Sequence, residues 1–231
     1  MKIALLGYGR MGKTIERIAT ERGHEITARI TADIESQDFS DIDIAIDFSI
    51  PAAAYKNITS CFEKGVPVVS GTTGWLEKYP EAVELCKKHN SGFIYASNFS
   101  LGVNIFFELN KKLAELIKPF PDYVASIEEI HHTQKLDAPS GTAITLAEQL
   151  IERSEKKTWT LNAPGETELP ITAKREENVP GTHKVSYSSP IDSINIEHIA
   201  HSRDGFALGA VVAAEWLQHR KGVYSMKDVL F

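Results

Sequence analysis

The residues Glu128-Glu129-Ile130-His131-His132-Thr133-Gln134-Lys135-Leu136-Asp137-Ala138-Pro139-Ser140-Gly141-Thr142 concentrate the side chains of this chain that could do chemistry. Two adjacent imidazoles are followed, three residues on, by a lysine. Groups of these types donate or relay protons and hold anions near neutral pH. The Pro-Ser-Gly-Thr turn then opens a helical pattern over residues 142–152. A helix N-terminus carries unpaired backbone N–H groups and the positive end of the helix dipole, which suit a carboxylate or a phosphate. A polar solvated loop could hold the same residues, and Ser140-Gly141-Thr142 could be a simple helix cap. The order of elements favours chemistry. An apolar run at 123–130 reads as a strand that delivers the cluster, and the helix beyond supports it.

The elements upstream are those that hold a dinucleotide. Residues 3–6 form an apolar run without alternation, as in a strand buried on both faces. Gly7-Tyr8-Gly9-Arg10-Met11-Gly12 follows at once, and 13–22 read as a helix ended by Gly23. A strand, G-x-G-x-x-G and a helix make the dinucleotide fingerprint. The first glycine makes the turn, the second admits the pyrophosphate, and the third lets helix and strand pack. Strands are then expected at 26–30, 42–48, 66–69 and 93–96, with helices at 52–64 and 75–90. The loop Gly71-Thr72-Thr73-Gly74 and the exit loop Ser97-Asn98-Phe99-Ser100-Leu101-Gly102 fall at carboxyl ends of strands, where open α/β sheets bind ligands. An acidic residue near the end of the second strand would hold a ribose diol, and a basic one a 2′-phosphate. Asp33 and Arg29 both lie there, so both readings stay open and use of both NADH and NADPH is expected.

Beyond a helix at 103–118 the pattern changes. Apolar runs at 124–130, 169–173, 184–187 and 194–200 are separated by polar stretches, and 162–168 and 175–181 read as loops. The expected architecture is α/β: a Rossmann-type, doubly wound parallel sheet, then a smaller α+β domain with a mostly antiparallel sheet. Residues 1–102 and 208–231 are assigned to the dinucleotide-binding domain, and 103–207 to substrate binding and oligomerisation.

The chain has 231 residues and a formal charge of −6, which argues against a nucleic-acid surface. Cys61 and Cys86 are the two cysteines, without metal-like spacing. Few cysteines and no basic-then-apolar leader lead to the expectation of a cytoplasmic protein. No apolar run approaches the roughly 20 residues of a membrane span. His198 and His201 would point to opposite faces of a strand, which disfavours a zinc site. No metal is expected.

The stretch from Glu129 to Thr142 resembles the E-x-H-H-x-x-K-x-D-A-P-S-G-T signature of the dihydrodipicolinate reductases, also called 4-hydroxy-tetrahydrodipicolinate reductases. The likeness extends to Gly7–Gly12, Asp47-Phe48-Ser49, Gly71–Gly74, Asn98–Asn104, Ile196-Glu197-His198, Ser202-Arg203 and Phe206–Ala210. One departure is the stretch Lys174–Gly181, which is shorter and more acidic than the family's arginine-glycine-rich segment. The resemblance implies NADH- or NADPH-dependent reduction of a cyclic dicarboxylate in lysine and diaminopimelate synthesis, by a homotetramer. It implies Lys135 as proton donor, His131 as proton donor or relay, and His132, Gly141 and Thr142 as holders of the substrate carboxylates. Cofactor contacts are expected from Gly7, Tyr8, Gly9, Arg10, Met11, Gly12, Asp33, Gly71, Thr72, Thr73, Ala96, Ser97, Asn98 and Phe99. The alternatives are another oxidoreductase of this two-domain plan, such as an amino-acid dehydrogenase, or a nucleotide-binding protein without turnover.

Overall fold

The computed structural model describes residues 1–32 and 34–231. The chain divides into two compact units, Met1–Asn104 with Asp204–Phe231, and Ile105–Arg203. In the first unit the strands β1 (Lys2–Leu6), β2 (Glu25–Ile30), β3 (Ile44–Asp47), β4 (Val68–Ser70), β5 (Gly92–Tyr95) and a late strand, Gly222–Tyr224, form one parallel sheet. The order is late strand, β5, β4, β3, β1, β2, a doubly wound Rossmann arrangement with its switch point between β1 and β3. The expected sheet is present, and Gly222–Tyr224 adds a sixth strand at its edge.

β1 shows why its run is unbroken. Ile3 and Leu5 pack with Ile15, Ile18 and Ala19 of α1 (Arg10–Glu21) on one face. Ala4 and Leu6 pack on the other, with Ala54, Ile58 and Phe62 of α2 (Pro51–Glu63) and Ala82 and Cys86 of α3 (Tyr79–Lys88). A strand covered on both faces must be apolar at every position. α1 starts at Arg10, directly after the glycine turn and earlier than the sequence pattern indicates. Both cysteines are buried free thiols, and burial raises each above its ordinary pKa.

α4 (Leu101–Ile117) leads from the first unit into the second. There β6 (Val124–His131), α5 (Gly141–Ile151), β7 (Thr158–Thr160), β8 (Glu168–Arg175), β9 (Gly181–Ser188) and β10 (Ser193–Ala200) build a sheet of order β10-β9-β6-β8-β7. This sheet is mixed rather than mostly antiparallel. The β10–β9 and β9–β6 pairings are antiparallel, whereas β6–β8 and β8–β7 are parallel. The reason is the crossover through α5, which returns the chain in the direction it left β6. One face of the sheet, with Ile127, Leu169, Ile171, Val185 and Tyr187, packs under Phe106 of α4 and Leu146, Ala147 and Leu150 of α5. The chain returns to the first unit in α6 (Asp204–Leu217) and ends in α7 (Met226–Leu230). No helix is long and apolar enough to cross a membrane among the described residues.

Candidate active site

The glycine turn is shaped for close approach. Gly7 has φ +90°, and a Cβ there would lie 2.4 Å from the carbonyl oxygen of Phe48. A Cβ at Gly12 would lie 2.5 Å from the Gly7 oxygen, so helix and turn are in contact. A Cβ at Gly9 would meet nothing within 4 Å. Gly9 is also the N-cap of α1, with no side-chain cap bond and no acidic residue in the first turn. The first amides of α1 are thus left for an anion beside an open glycine, which fits a pyrophosphate.

Met11, Gly71, Thr72 and Thr73 come together with Phe48 and Ser49 along a shallow cleft at the carboxyl edge of the sheet. A residue absent from the expected site organises it. Asp47, fully buried at the end of β3, accepts from Ser49 Oγ at 2.6 Å and Ser70 Oγ at 2.8 Å. Ser49 in turn donates its N–H to Thr72 Oγ1 at 2.9 Å, and Asn57 donates to Ser49 Oγ at 3.2 Å. The network laces the β3 and β4 exit turns. Burial raises the pKa of Asp47, and the hydrogen bonds from Ser49, Thr72, Ser70 and Asn57 oppose that shift. Of the β5 exit loop, Asn98 accepts from the Ser100 N–H at 2.9 Å and holds the turn. Phe99 is buried against Phe48, ring centroids 5.8 Å apart, so it shapes the loop from behind. Ala96 and Asn98 are half-buried and Ser97 is exposed; Tyr8 is half-buried and Arg10 exposed at the glycine turn. Asp33 lies outside the described residues.

In the second unit, strand alternation puts Ile127, Glu129 and His131 on one face of β6. Register then assembles a polar row. Glu129 is paired with His183 of β9, His183 with His198 of β10, and His131 with Arg175 of β8. Glu129 is fully buried and His131 and His183 nearly so. The Glu129 carboxylate accepts from the Ser140 N–H at 3.0 Å and from both terminal nitrogens of Arg175, at 3.3 and 3.2 Å. Arg175 also donates to the carbonyls of Lys135, at 3.3 Å, and Asp137, at 2.6 Å. It therefore clamps the signature loop to the sheet. Ser140 Oγ accepts from the Ala143 N–H at 3.2 Å, capping α5, and lies 3.0 Å from His183 Nε2. Between Lys135 and Ser140 the chain passes through a cis Ala138–Pro139 bond.

Lys135 donates to both carboxylate oxygens of Asp137, at 2.8 and 2.7 Å, and this holds the Asp137 pKa below the usual carboxylate range. Burial pushes the His131 pKa down, with Lys135 and Arg175 adding to the shift and Glu129 opposing it. His183 is pushed to about 3, by burial first and then by His131 and His198. The Nδ1 atoms of His131, His132 and His198 are buried without a hydrogen-bond partner among the described residues. Gly141 and Thr142 open α5, and their N–H groups have no partner among the described residues. A Cβ at Gly141 would meet nothing within 4 Å. The Ser140 cap goes to the Ala143 N–H and so leaves the Gly141 and Thr142 amides unused within the helix.

Arg175, Glu129, His183 and Asp137 are site residues that the sequence reading did not assign. The sequence pattern places 175–181 in a loop; Arg175 is instead the last residue of β8, and Gly181 is the first of β9. The short 176–180 connection crosses the end of β6, where Glu176 N–H donates to the His131 carbonyl at 2.8 Å. A Cβ at Gly181 would lie 3.1 Å from His131 Nε2. The ligand atoms of Glu129, His131 and His183 all lie within 4.8 Å of one another. The Glu129 oxygens are already engaged by Arg175 and Ser140, and the guanidinium occupies the role a cation would fill.

The parallel sheet with its open glycine turn, and the imidazole–lysine cluster beside a free helix N-terminus, define a class: oxidoreductases that use a pyridine nucleotide. The chain belongs to the dihydrodipicolinate reductase family, whose N-terminus model matches residues 1–99 and whose C-terminus model matches residues 102–230. It is 63% identical over 233 residues to a 4-hydroxy-tetrahydrodipicolinate reductase of Christiangramia forsetii, covering 100% of this chain and 98% of that protein. A reductase of the same name from Rickettsia bellii is 35% identical over 95% of this chain and 90% of its own. The solved dipicolinate-bound dihydrodipicolinate reductase of Paenisporosarcina sp. TG-14 has the same fold, with a TM-score of 0.77, 22% identity and 97% of each chain covered. A probable dehydrogenase of Thermotoga maritima shares the fold at a TM-score of 0.64 and 10% identity, with 100% of this chain and 92% of that one covered. The fold alone therefore does not separate the reductases from other dehydrogenases.

Proposed function

We propose that the protein converts 4-hydroxy-tetrahydrodipicolinate to tetrahydrodipicolinate in lysine and diaminopimelate synthesis: the 4-hydroxyl leaves as water, and the resulting conjugated ring takes up a hydride from NADH or NADPH and a proton. What supports this reading is the signature stretch, with His131 at the end of β6, Lys135 on the loop that Arg175 clamps, and the free amides of Gly141 and Thr142 at the start of α5. The first unit would bind the cofactor through the α1 amides, the glycine turn and the cleft at Gly71–Thr73. When bound, the cofactor supplies the hydride.

The chain's own residues do the rest. Gly141 and Thr142 donate N–H groups to one substrate carboxylate, aided by the α5 dipole. His132 holds the second carboxylate. Lys135 protonates the site of developing negative charge, and Asp137 keeps the ammonium on station. Burial disfavours the charged form of His131, so it acts as a relay rather than as the proton source. Glu129 fixes the geometry by gripping Arg175 and the Ser140 amide. The amino-acid dehydrogenase reading shares the fold but does not account for a 63% identical reductase over the whole chain.

A homotetramer also belongs to the proposal. The second face of the mixed sheet carries Glu128 and Ile130 of β6 and Thr182, Lys184 and Ser186 of β9, with Ile199 of β10 half exposed. Ile130 and Ile199 flank Thr182 in one register row, two apolar side chains on a polar face that subunits could share. A cytoplasmic location follows from the proposed pathway. Expression of this chain in a bacterium that lacks its own reductase, and needs added diaminopimelate, should restore growth without the supplement. Soluble expression with no growth counts against the proposal.

A further inference from the structure

The cofactor site contains an ion pair that neither the glycine turn nor the sheet requires. Gly7 N–H donates to the Ile30 carbonyl at 2.8 Å, so the end of β2 lies against the first glycine of the turn. The neighbouring residue, Arg29, reaches to the α1 side of the sheet. Its Nε donates to Glu16 Oε2 at 3.1 Å, and a terminal nitrogen donates to Oε1. Tyr8, inside the glycine turn, donates its hydroxyl to the same carboxylate. The guanidinium carbon stands 5.6 Å from the centre of the Tyr8 ring. Arg29 and Tyr8 hold the Glu16 carboxyl below its usual range. The Arg29 side chain is 41% exposed and that of Glu16 22%, so the carboxylate is the inner partner and the guanidinium stays within reach of a ligand.

A ribose 2′-phosphate bound beyond β2 needs a cation, and a free 2′-hydroxyl does not. Guanidinium binds phosphate and carboxylate in the same forked geometry, so the two compete for it directly. We infer that Glu16 is a specificity-determining residue: it occupies Arg29 and so restrains the preference for a 2′-phosphorylated cofactor. The inference rests on the proposed cofactor site and concerns only the adenosine end of it. Glu16 lies on α1, away from the β2 terminus where a preference residue is ordinarily sought, and it acts through another side chain.

The test separates the 2′-phosphate from the rest of the cofactor. Adenosine 2′,5′-bisphosphate and 5′-AMP are titrated calorimetrically into the whole protein and into Glu16→Gln, Arg29→Gln and the double variant. NADH titration and a thermal melt check that each variant is folded with its site intact. Freeing Arg29 in Glu16→Gln should raise the affinity for the bisphosphate, relative to 5′-AMP, by about fivefold or more. Arg29→Gln should lower that ratio below wild type, and the double variant should match Arg29→Gln. A ratio in Glu16→Gln within about twofold of wild type, or a gain that survives in the double variant, overturns the inference. Wild-type protein that binds neither NADH nor NADPH would remove the cofactor site itself and the inference with it.

Discussion

Replacing Gly141 by valine tests the carboxylate site with little risk to the fold. Gly141 is exposed at the start of α5, its φ lies outside the left-handed region, and an added Cβ meets no atom within 4 Å. The Ser140 cap to the Ala143 N–H is left in place. The stability change should therefore stay within about 0.5 kcal/mol, the ordinary range for exposed positions. Ligand binding should respond differently. The new side chain stands in the space from which a carboxylate would reach the Gly141 and Thr142 amides. A hydrogen bond to a charged group contributes about 1.5–3 kcal/mol, and a helix N-terminus adds about 0.3–1. Loss of one such bond corresponds to at least about tenfold in affinity. Pyridine-2,6-dicarboxylate, a flat aromatic dicarboxylate, should inhibit wild type competitively with the substrate. Its inhibition constant should rise by about tenfold or more in Gly141→Val, with NADH affinity unchanged. If Ser140-Gly141-Thr142 were only a cap, the variant would keep its inhibition constant. That outcome would refute the reasoning.

Lys135→Met keeps the bulk and removes the proton; turnover should fall by about 10²- to 10⁴-fold with cofactor affinity nearly unchanged, and turnover within about threefold of wild type would remove Lys135 from the mechanism. His183 ties stability to pH, because burial and then His131 and His198 push it from 6.5 to about 3. Above pH 6.5 folded and unfolded chains are both neutral at this residue. Below it the unfolded chain takes up a proton that the folded one refuses, so stability is lost as pH falls from 6.5 toward 3, at up to about 1.4 kcal/mol per pH unit. Denaturant midpoints measured across that window should fall less steeply for His183→Gln, and parallel curves would show that His183 does not carry the effect. Sedimentation of the wild type at micromolar concentration should give a tetramer; a monomer would leave the open sheet face unexplained.

The first unit was legible because its signals are local. A strand, a glycine turn and a helix follow one another without interruption, and β1 is apolar at each position because both faces are covered. The signature was legible as one continuous run. What was not legible depends on register. Glu129 meets His183, and His131 meets Arg175, across strands separated by more than forty residues. Nothing in the spacing of Arg175 indicates that it closes on the carbonyls of Lys135 and Asp137. Glu16 and Arg29, thirteen residues apart, meet only through the packing of α1 on β2, which their spacing does not show. Thr158–Thr160, Gly222–Tyr224 and Met226–Leu230 were missed because three to five residues carry too little periodicity to read. The mixed second sheet followed from α5 acting as a crossover, which a count of apolar runs does not disclose.

The most direct measurement is a spectrophotometric assay of cofactor oxidation with freshly generated 4-hydroxy-tetrahydrodipicolinate, run in parallel with NADH and NADPH. Substrate-dependent oxidation of both cofactors is expected, with specificity constants within about tenfold of each other and one cofactor consumed per substrate reduced. Binding of cofactor without substrate-dependent oxidation, or oxidation only with a 2-oxo acid and ammonia, would contradict it.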